Sequence, residues 1–324
     1  MADKAQKKDQ RMYRKILVPL DGSEAAEGVI ELAKNLAVKS GSAITLLHVC
    51  KPEYADYKRM HSAYIEQTAE KMQRDIAEMC KTAPCYFEGV TATVAPALVD
   101  GDPVDGIVRY AAETNASIIL MATHGRTGLL CSPMSDITNR VVRSATVPVW
   151  LIRTLAPDEI VCAEWPPERV LVPLDGSKMA ENVLPYAKEY AQLFDAEMVL
   201  VRVCGAPEIS ADYPEASMPV SWDDHVKRVH THYQGQCSIY LETVRDRLTD
   251  EGIKVSIETL LGDAAEEIVG YIHQNRCDLV AMTTHGRSGI ARWAANSLVG
   301  RWIFGNVTEQ VLAATSRGIL IVRG

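Results

Sequence analysis

Two aspartates and two glycine turns are the residues here whose type and spacing best suit chemistry. Asp21 stands in LVPLDGS and Asp175 in a second, identical LVPLDGS, each directly after a short apolar run that reads as a strand. A carboxylate at a strand end can bond ribose hydroxyls, an adenine amino group or a Mg²⁺ ion. It can equally be the acceptor of an Asx-turn that bends Asp-Gly-Ser, and both readings stay open. The glycine turns are ATHGRTG at 122–128 and TTHGRSG at 283–289. Gly125, Gly128, Gly286 and Gly289 let a backbone approach a ligand and present its N–H groups. A helix starting behind such a turn makes it a candidate anion cradle. Neither is a Walker A loop, because no Gly-Lys-Ser/Thr follows the second glycine.

Other reactive side chains form weaker patterns. Cysteines at 50, 80, 85, 131, 162, 204, 237 and 277 include no CxxC pair and read as reduced cytosolic thiols. Cys50 and Cys204 end matching segments, HVC and RVC, which strand-end packing explains. KRMHSAY at 58–64 and VKRVHTHY at 226–233 share Lys-Arg-x-His-x-x-Tyr, a pattern that suits solvated helix surface first and a role over a bound ligand second. His225, His230 and His232 cluster, but their spacing does not gather three ligands on one helix face, so no metal site is expected. No Ser-His-Asp set or carboxylate pair can be argued from spacing. Binding is expected rather than catalysis.

These features recur because the chain is duplicated. Besides LVPLDGS, LLHVC matches LVRVC, GDPVDGIV at 101–108 matches GDAAEEIV at 262–269, and VPVWLIR at 147–153 matches RGILIVR at 317–323. The order is kept while the spacing drifts, as in tandem domains with loop insertions. The expected division is 1–153, with a charged tail at 1–13, and 169–324, joined by the proline- and acid-rich TLAPDEIVCAEWPPE at 154–168. Within each half, strand and helix alternate. ILVPL is a strand; residues 23–41 have helical spacing, with Ser23 as N-cap and Gly41 as stop. AITLLHV, GVTATVAPAL, ASIILMAT and VPVWLI are further strands, and EQTAEKMQRDIAEMC, VDGIVRYAAETN and SDITNRVVRSA are helices. Nearly continuous apolar strands alternating with helices imply a five-stranded parallel sheet per half, covered on both faces. Ligands bind such sheets beyond the C-terminal strand ends, where strand order reverses. Asp21, Asp175 and both glycine turns fall there.

Bulk properties set outer limits. A chain of 324 residues exceeds one ordinary core. Apolar residues at 47% and charged residues at 23% are ordinary for a globular protein. A net charge of −8 argues against a nucleic-acid or anionic-membrane partner. The opening MADKAQKKDQRMYRK has no apolar stretch behind its charges, and no apolar run approaches membrane-spanning length. A cytoplasmic location is expected.

LVPLDGS, LLHV, MATHGRTG or MTTHGRSG, and the closing VTEQVL and ILIV together resemble the universal stress protein family, twice over nearly the whole chain. The resemblance implies an α/β fold of two tandem Rossmann-like (adenine nucleotide alpha-hydrolase-like) domains. Family members commonly dimerise through the last strand, so the halves are expected to form an internal pseudo-dimer, with a homodimer as a further possibility. One branch of the family binds ATP through G-x2-G-x9-G-[ST], and another lacks the motif. Here Ala122 and Thr283 replace the opening Gly, while Gly125 and Gly286 keep the next. In the first half, Ser135-Asp136 stand where Gly-Ser or Gly-Thr is expected. The second half repeats IARWAANSL as VGRWIFGNV, so that Asn296-Ser297 and Gly305-Asn306 both compete for that place. VTEQVL, beginning at Val307, favours Gly305-Asn306. The base and ribose contacts implied by the resemblance are Pro19, Asp21 and Val49, and then Pro173, Asp175 and Val203. ATP is the implied ligand, with Mg²⁺ as its companion. The second half is expected to bind more strongly, because Asp136 sets a carboxylate against the phosphates of the first.

Overall fold

The computed structural model describes residues 11–82, 85–87, 89–123, 135–153, 168–205, 222–284, 306–315 and 317–324. The first half runs β1 (Lys15–Pro19), α1 (Ile30–Ser40), β2 (Ala43–Cys50), α2 (Lys58–Thr82), β3 (Thr93–Asp100), α3 (Pro103–Glu113), β4 (Ile118–Ala122), α4 (Asp136–Ser144) and β5 (Val149–Ile152). The second repeats it as β6 (Arg169–Pro173), α5 (Leu184–Phe194), β7 (Glu197–Cys204), α6 (Trp222–Asp250), β8 (Lys254–Leu261), α7 (Ala264–Gln274), β9 (Leu279–Thr283), α8 (Asn306–Ala314) and β10 (Gly318–Val322).

Local chemistry explains most boundaries. Ser23 caps a single helical turn, Glu24–Glu27, by accepting from Ala26 N. The chain then breaks at Gly28, a weak helix former, so the one helix expected over 23–41 is two. Gly41 ends α1 at φ 64, its N–H returning to Ala37 O; Asp195 ends α5 in the same left-handed conformation, at φ 57. Asp102 and Asp263 each accept from two backbone N–H groups at the starts of α3 and α7. The second helix begins at Lys58, well before the expected EQTAEKM segment, with Ile65, Ala69, Met72 and Ile76 buried.

The strands form one ten-stranded sheet in the order β3-β2-β1-β4-β5-β10-β9-β6-β7-β8. Pairing is parallel within each half. At the centre β5 meets β10 antiparallel, with Leu320 opposite Trp150. These two residues occupy matching positions in VPVWLIR and RGILIVR, so the halves meet about a pseudo-two-fold axis. The two sheets expected side by side are therefore continuous. Alternate strand residues feed two cores: Ile16, Val18 and Leu46 on one face, Leu17 and Leu47 on the other. Burying each such side chain contributes roughly 1.5–3 kcal/mol.

The seam has a second component on one face. Trp150, 1% exposed, packs against Tyr13 and Tyr190 with ring centroids 6.1 and 5.5 Å away. Glu189 of α5 accepts from Met12 N at 2.7 Å and Tyr13 N at 3.3 Å, and Tyr13 Oη donates to Tyr186 O at 2.9 Å. The segment leading into β1 is thus held by the second half. No helix among the described residues is long and apolar enough to cross a membrane.

Candidate functional site

In the first half the strand order reverses between β1 and β4. There a cavity of about 190 Å³ opens at the C-terminal strand ends. Leu47, Val49, Ile107 and Met121 supply apolar walls; Asp21, His48, His61 and Ser135 add polar ones. Val49 lies so close to α3 that a Cβ added to Gly106 would stand 2.9 Å from its Cγ1. Of the residues expected to contact a ligand, Pro19, Asp21, Val49 and Ser135 line this cavity. Asp136 is not among its walls. It is the first residue of α4, its side chain 83% exposed and 3.9 Å from Arg140. Gly125 and Gly128 lie outside the described residues.

Both aspartates act in their turns. Asp21 Oδ1 accepts from Ser23 N at 3.0 Å and Ser23 Oγ at 2.6 Å; Asp175 Oδ1 accepts from Ser177 N at 2.9 Å. A carboxylate has about four acceptor positions, so the turn and a ligand role are compatible. The N-terminus of α4 is anchored beside the cavity. Ser135 N donates to Thr123 O at 2.8 Å, Ser135 Oγ accepts from Thr138 N at 3.2 Å, and Thr138 Oγ1 donates to Ala122 O at 3.2 Å. This places the positive end of a helix dipole at the cavity's edge. In the second half Thr308 Oγ1 likewise donates to Thr283 O, at 3.1 Å.

The KRMHSAY segment is solvated at Lys58, Arg59, Met60 and Ala63, while His61 and Tyr64 turn partly inward. His61 lines the cavity and hydrogen-bonds through Nδ1 to Nε2 of His48, the rings 4.5 Å apart. His48 is 5% exposed, with Nδ1 2.8 Å from Leu20 O; donation there leaves Nε2 to accept. Tyr64 Oη donates to Glu27 Oε1 at 2.7 Å, and burial, with Glu27 adding to it, pushes the phenol well above its ordinary range. The second half makes the same tie from Tyr240 Oη to Glu181 Oε1, at 3.1 Å. Glu27 and Glu181 occupy the same place after LVPLDGS, so Tyr240, not Tyr233, matches Tyr64. The alignment of KRMHSAY with VKRVHTHY is two helical turns out of register. Burial could have corrected it, since Leu241 follows Tyr240 as Ile65 follows Tyr64, both fully buried.

In the corrected register Cys237 stands at the place of His61 and Arg202 at that of His48. The Arg202 guanidinium lies 5.1 Å from the Tyr240 ring centroid and against Gly176, where an added Cβ would meet Nη2 at 3.0 Å. Cys204 and Cys237 are joined as a disulfide, separated by 33 residues in sequence. This overturns the reading of all the cysteines as reduced thiols and of Cys204 as mere strand-end packing. Loop insertion hid the pairing, because the two sulfurs meet only once α6 packs on β7. Cys50, Cys80, Cys85 and Cys277 are free. Burial raises the Cys277 thiol to about 11.

Of the second-half candidates, Pro173 ends β6, Asp175 follows it, and Val203 precedes the last residue of β7. Asn306 is the first residue of α8, and Val307 packs partly buried on the core. Gly286, Gly289, Gly305 and Asn296-Ser297 lie outside the described residues. His225, His230 and His232 lie on α6, but their side chains are not among those described. Among the described residues no group of three His, Cys, Asp or Glu side chains could hold a metal.

The signature of the Universal stress protein family matches residues 12–153 and again 167–323. A universal stress protein of Methanocaldococcus jannaschii is 26% identical over 155 residues, covering 44% of this chain and 96% of that protein. One from Thermus aquaticus is 28% identical over 142 residues, covering 44% of this chain and all of its own length, 100%. A crystal structure of a universal stress protein from Archaeoglobus fulgidus superposes over 96% of this chain and 98% of its own, at 21% identity and a TM-score of 0.61. That likeness extends to the fold. A universal stress protein solved in complex with cAMP matches 44% of the chain at a TM-score of 0.31, too low to transfer its ligand.

Proposed function

The chain belongs to the universal stress protein family, as a tandem member, and from that premise we propose that it is a regulatory adenine-nucleotide-binding protein that takes ATP. The observation that carries this reading is the cavity at the first half's strand-order reversal, its lining largely apolar but including Asp21 and Ser135, the N-cap of α4. Its volume of about 190 Å³ is below the roughly 300–1,000 Å³ of pockets that engulf drug-sized ligands. It suits a base and sugar, with the phosphates led outward to α4. Val49, Ile107 and Met121 would hold the base, Asp21 the ribose, and the N–H groups opening α4 the phosphates. Mg²⁺ would enter with the polyphosphate.

The second half is the stronger site in this proposal. Its base and ribose contacts are Pro173, Asp175 and Val203, and its phosphate end is Gly286, Gly289, Gly305, Asn306 and Val307. Helix α8 begins at uncharged Asn306, where α4 begins at Asp136. A carboxylate ~5 Å from a phosphate charge costs on the order of 3 kcal/mol at an effective dielectric near 20. Asp136 is 83% exposed, so solvent reduces that penalty to a fraction.

Titration calorimetry of the full chain with ATP and Mg²⁺ tests the proposal. Asn306→Asp is expected to weaken the tighter event about tenfold, or ~1.4 kcal/mol, and Ile137→Trp, which fills the first cavity, to remove the weaker one. No heat of binding in the wild type would leave a tandem that acts through its surfaces alone. Loss of the tighter event in Ile137→Trp, with the weaker one left intact, would reverse the ranking.

A further inference from the structure

The Cys204–Cys237 link has no counterpart in the first half. There the matching residues are Cys50, a free thiol, and His61, which holds the same helix-to-strand contact through a ring hydrogen bond to His48. We propose that Cys204 and Cys237 form a reversible thiol–disulfide lock, opened by a dithiol reductant, that sets ligand access to the second half. What the lock controls rests on the nucleotide reading above; the lock itself does not.

Position is the first argument. Cys204 ends β7 immediately after Val203, the residue proposed to contact the base, and Cys237 occupies the place that in the first half is a cavity wall. The link therefore ties α6 to the strand end at the site's edge. One turn further along α6, Tyr240 receives the Arg202 guanidinium, which also rests on Gly176 beside Asp175. Any shift of α6 moves a cation that lies against the ribose-side turn.

The second argument is local stability. Gly235 lies inside α6 two residues from Cys237, and a Cβ there would meet nothing within 4 Å. Packing does not require glycine, and an exposed mid-helix glycine weakens the helix relative to alanine. Arg228, Thr231, Gly235 and Gln236 are exposed. The sulfurs themselves are buried, Cys204 at 4% and Cys237 at 7% exposure, so a reductant reaches them when this part of α6 opens. A dithiol's thiolate attacks one sulfur, the S–S bond breaks, and the dithiol's second sulfur displaces the remaining cysteine. Two electrons pass to the pair, Cys204 and Cys237 each take a proton, and the reductant leaves as a cyclic disulfide.

The test uses the full chain, air-oxidised or treated with dithiothreitol. Alkylation and peptide mapping should label Cys80 in both forms, and Cys204 and Cys237 only after reduction. Hydrogen exchange over residues 222–240 should quicken on the order of tenfold on reduction. Cys237→Ser should exchange at the reduced rate and ignore dithiothreitol. Labelling of Cys237 in the oxidised protein, or exchange unchanged by reduction, overturns the lock. ATP affinity measured in both forms separates the two ideas. Binding in neither form defeats the nucleotide reading while the exchange difference upholds the lock; equal binding in both defeats its control of the site.

Discussion

The first half closes the edge of its strand ends with a pair of imidazoles, and the second closes the matching edge with a disulfide and a guanidinium stacked on tyrosine. Beneath that edge several polar ties recur in both halves. Tyr64 reaches Glu27 as Tyr240 reaches Glu181, Thr138 ties α4 to β4 as Thr308 ties α8 to β9, and Asp102 caps α3 as Asp263 caps α7. The shared set satisfies buried or helix-end polar groups that any copy of this fold must satisfy. The imidazole pair, the disulfide and the guanidinium sit over the strand ends. Two strand-end edges on one skeleton are thus free to differ in charge and in side-chain chemistry.

The sharpest break in the symmetry is at the seam, where Trp150 faces Leu320 across the pseudo-two-fold axis. Trp150→Ala empties the centre of the Tyr13–Tyr190 cluster and is expected to destabilise the chain by about 3–5 kcal/mol, read by urea unfolding. A loss below about 1 kcal/mol would mean that the halves cohere without it.

A second test concerns α3 and α7. Gly106→Val drives a side chain into Val49 and is expected to cost about 1–3 kcal/mol and to weaken nucleotide binding. Glu267, the matching residue of GDAAEEIV, already carries a side chain there, its carboxylate against Gly262. Glu267→Gly should therefore lose only about 1 kcal/mol of helix preference in a thermal melt. Equal effects at the two positions would erase this difference between the halves.

Glu189 sharpens the comparison through pH. Burial raises its carboxyl pKa, while the N–H donors of Met12 and Tyr13 oppose the rise. Its stabilising contribution is complete below the unfolded carboxylate range and is lost as pH climbs through the raised folded value. Glu189→Gln should flatten that decline in urea midpoints measured between acidic and neutral pH. Asn35, its match in α1, bonds among the described residues to Glu31 of its own helix, and Asn35→Ala, which adds no titratable group, should leave the slope unchanged.

The smallest expected effect is at the helix ends. Asp195 holds the left-handed conformation that Gly41 holds in the first half. Asp195→Gly relieves that strain but removes an exposed ion pair to Lys254, worth about 0.2–1 kcal/mol. The net should be a gain of at most about 1 kcal/mol, visible as a small rise in Tm; a clear fall would show that the ion pair outweighs the strain.

The duplication was legible from its repeated motifs, and the alternation of strand and helix, the Ser23 cap and the Gly41 stop because each rests on residues close in sequence. So was the place of Asp21, Val49 and Ser135, since a parallel sheet brings its C-terminal strand ends together whatever the loops do. The register of the long helix was not legible. The spacing between LLHVC and α2 differs from that between LVRVC and α6, and no local rule aligns a helix across an insertion. Only packing on β7 could show that Tyr240 is the partner of Glu181, and that Cys237 therefore stands where His61 does. The same holds for His48 and His61, for the disulfide, and for the single continuous sheet. Each is a contact between groups far apart in the chain, and such contacts are decided by which faces are buried together.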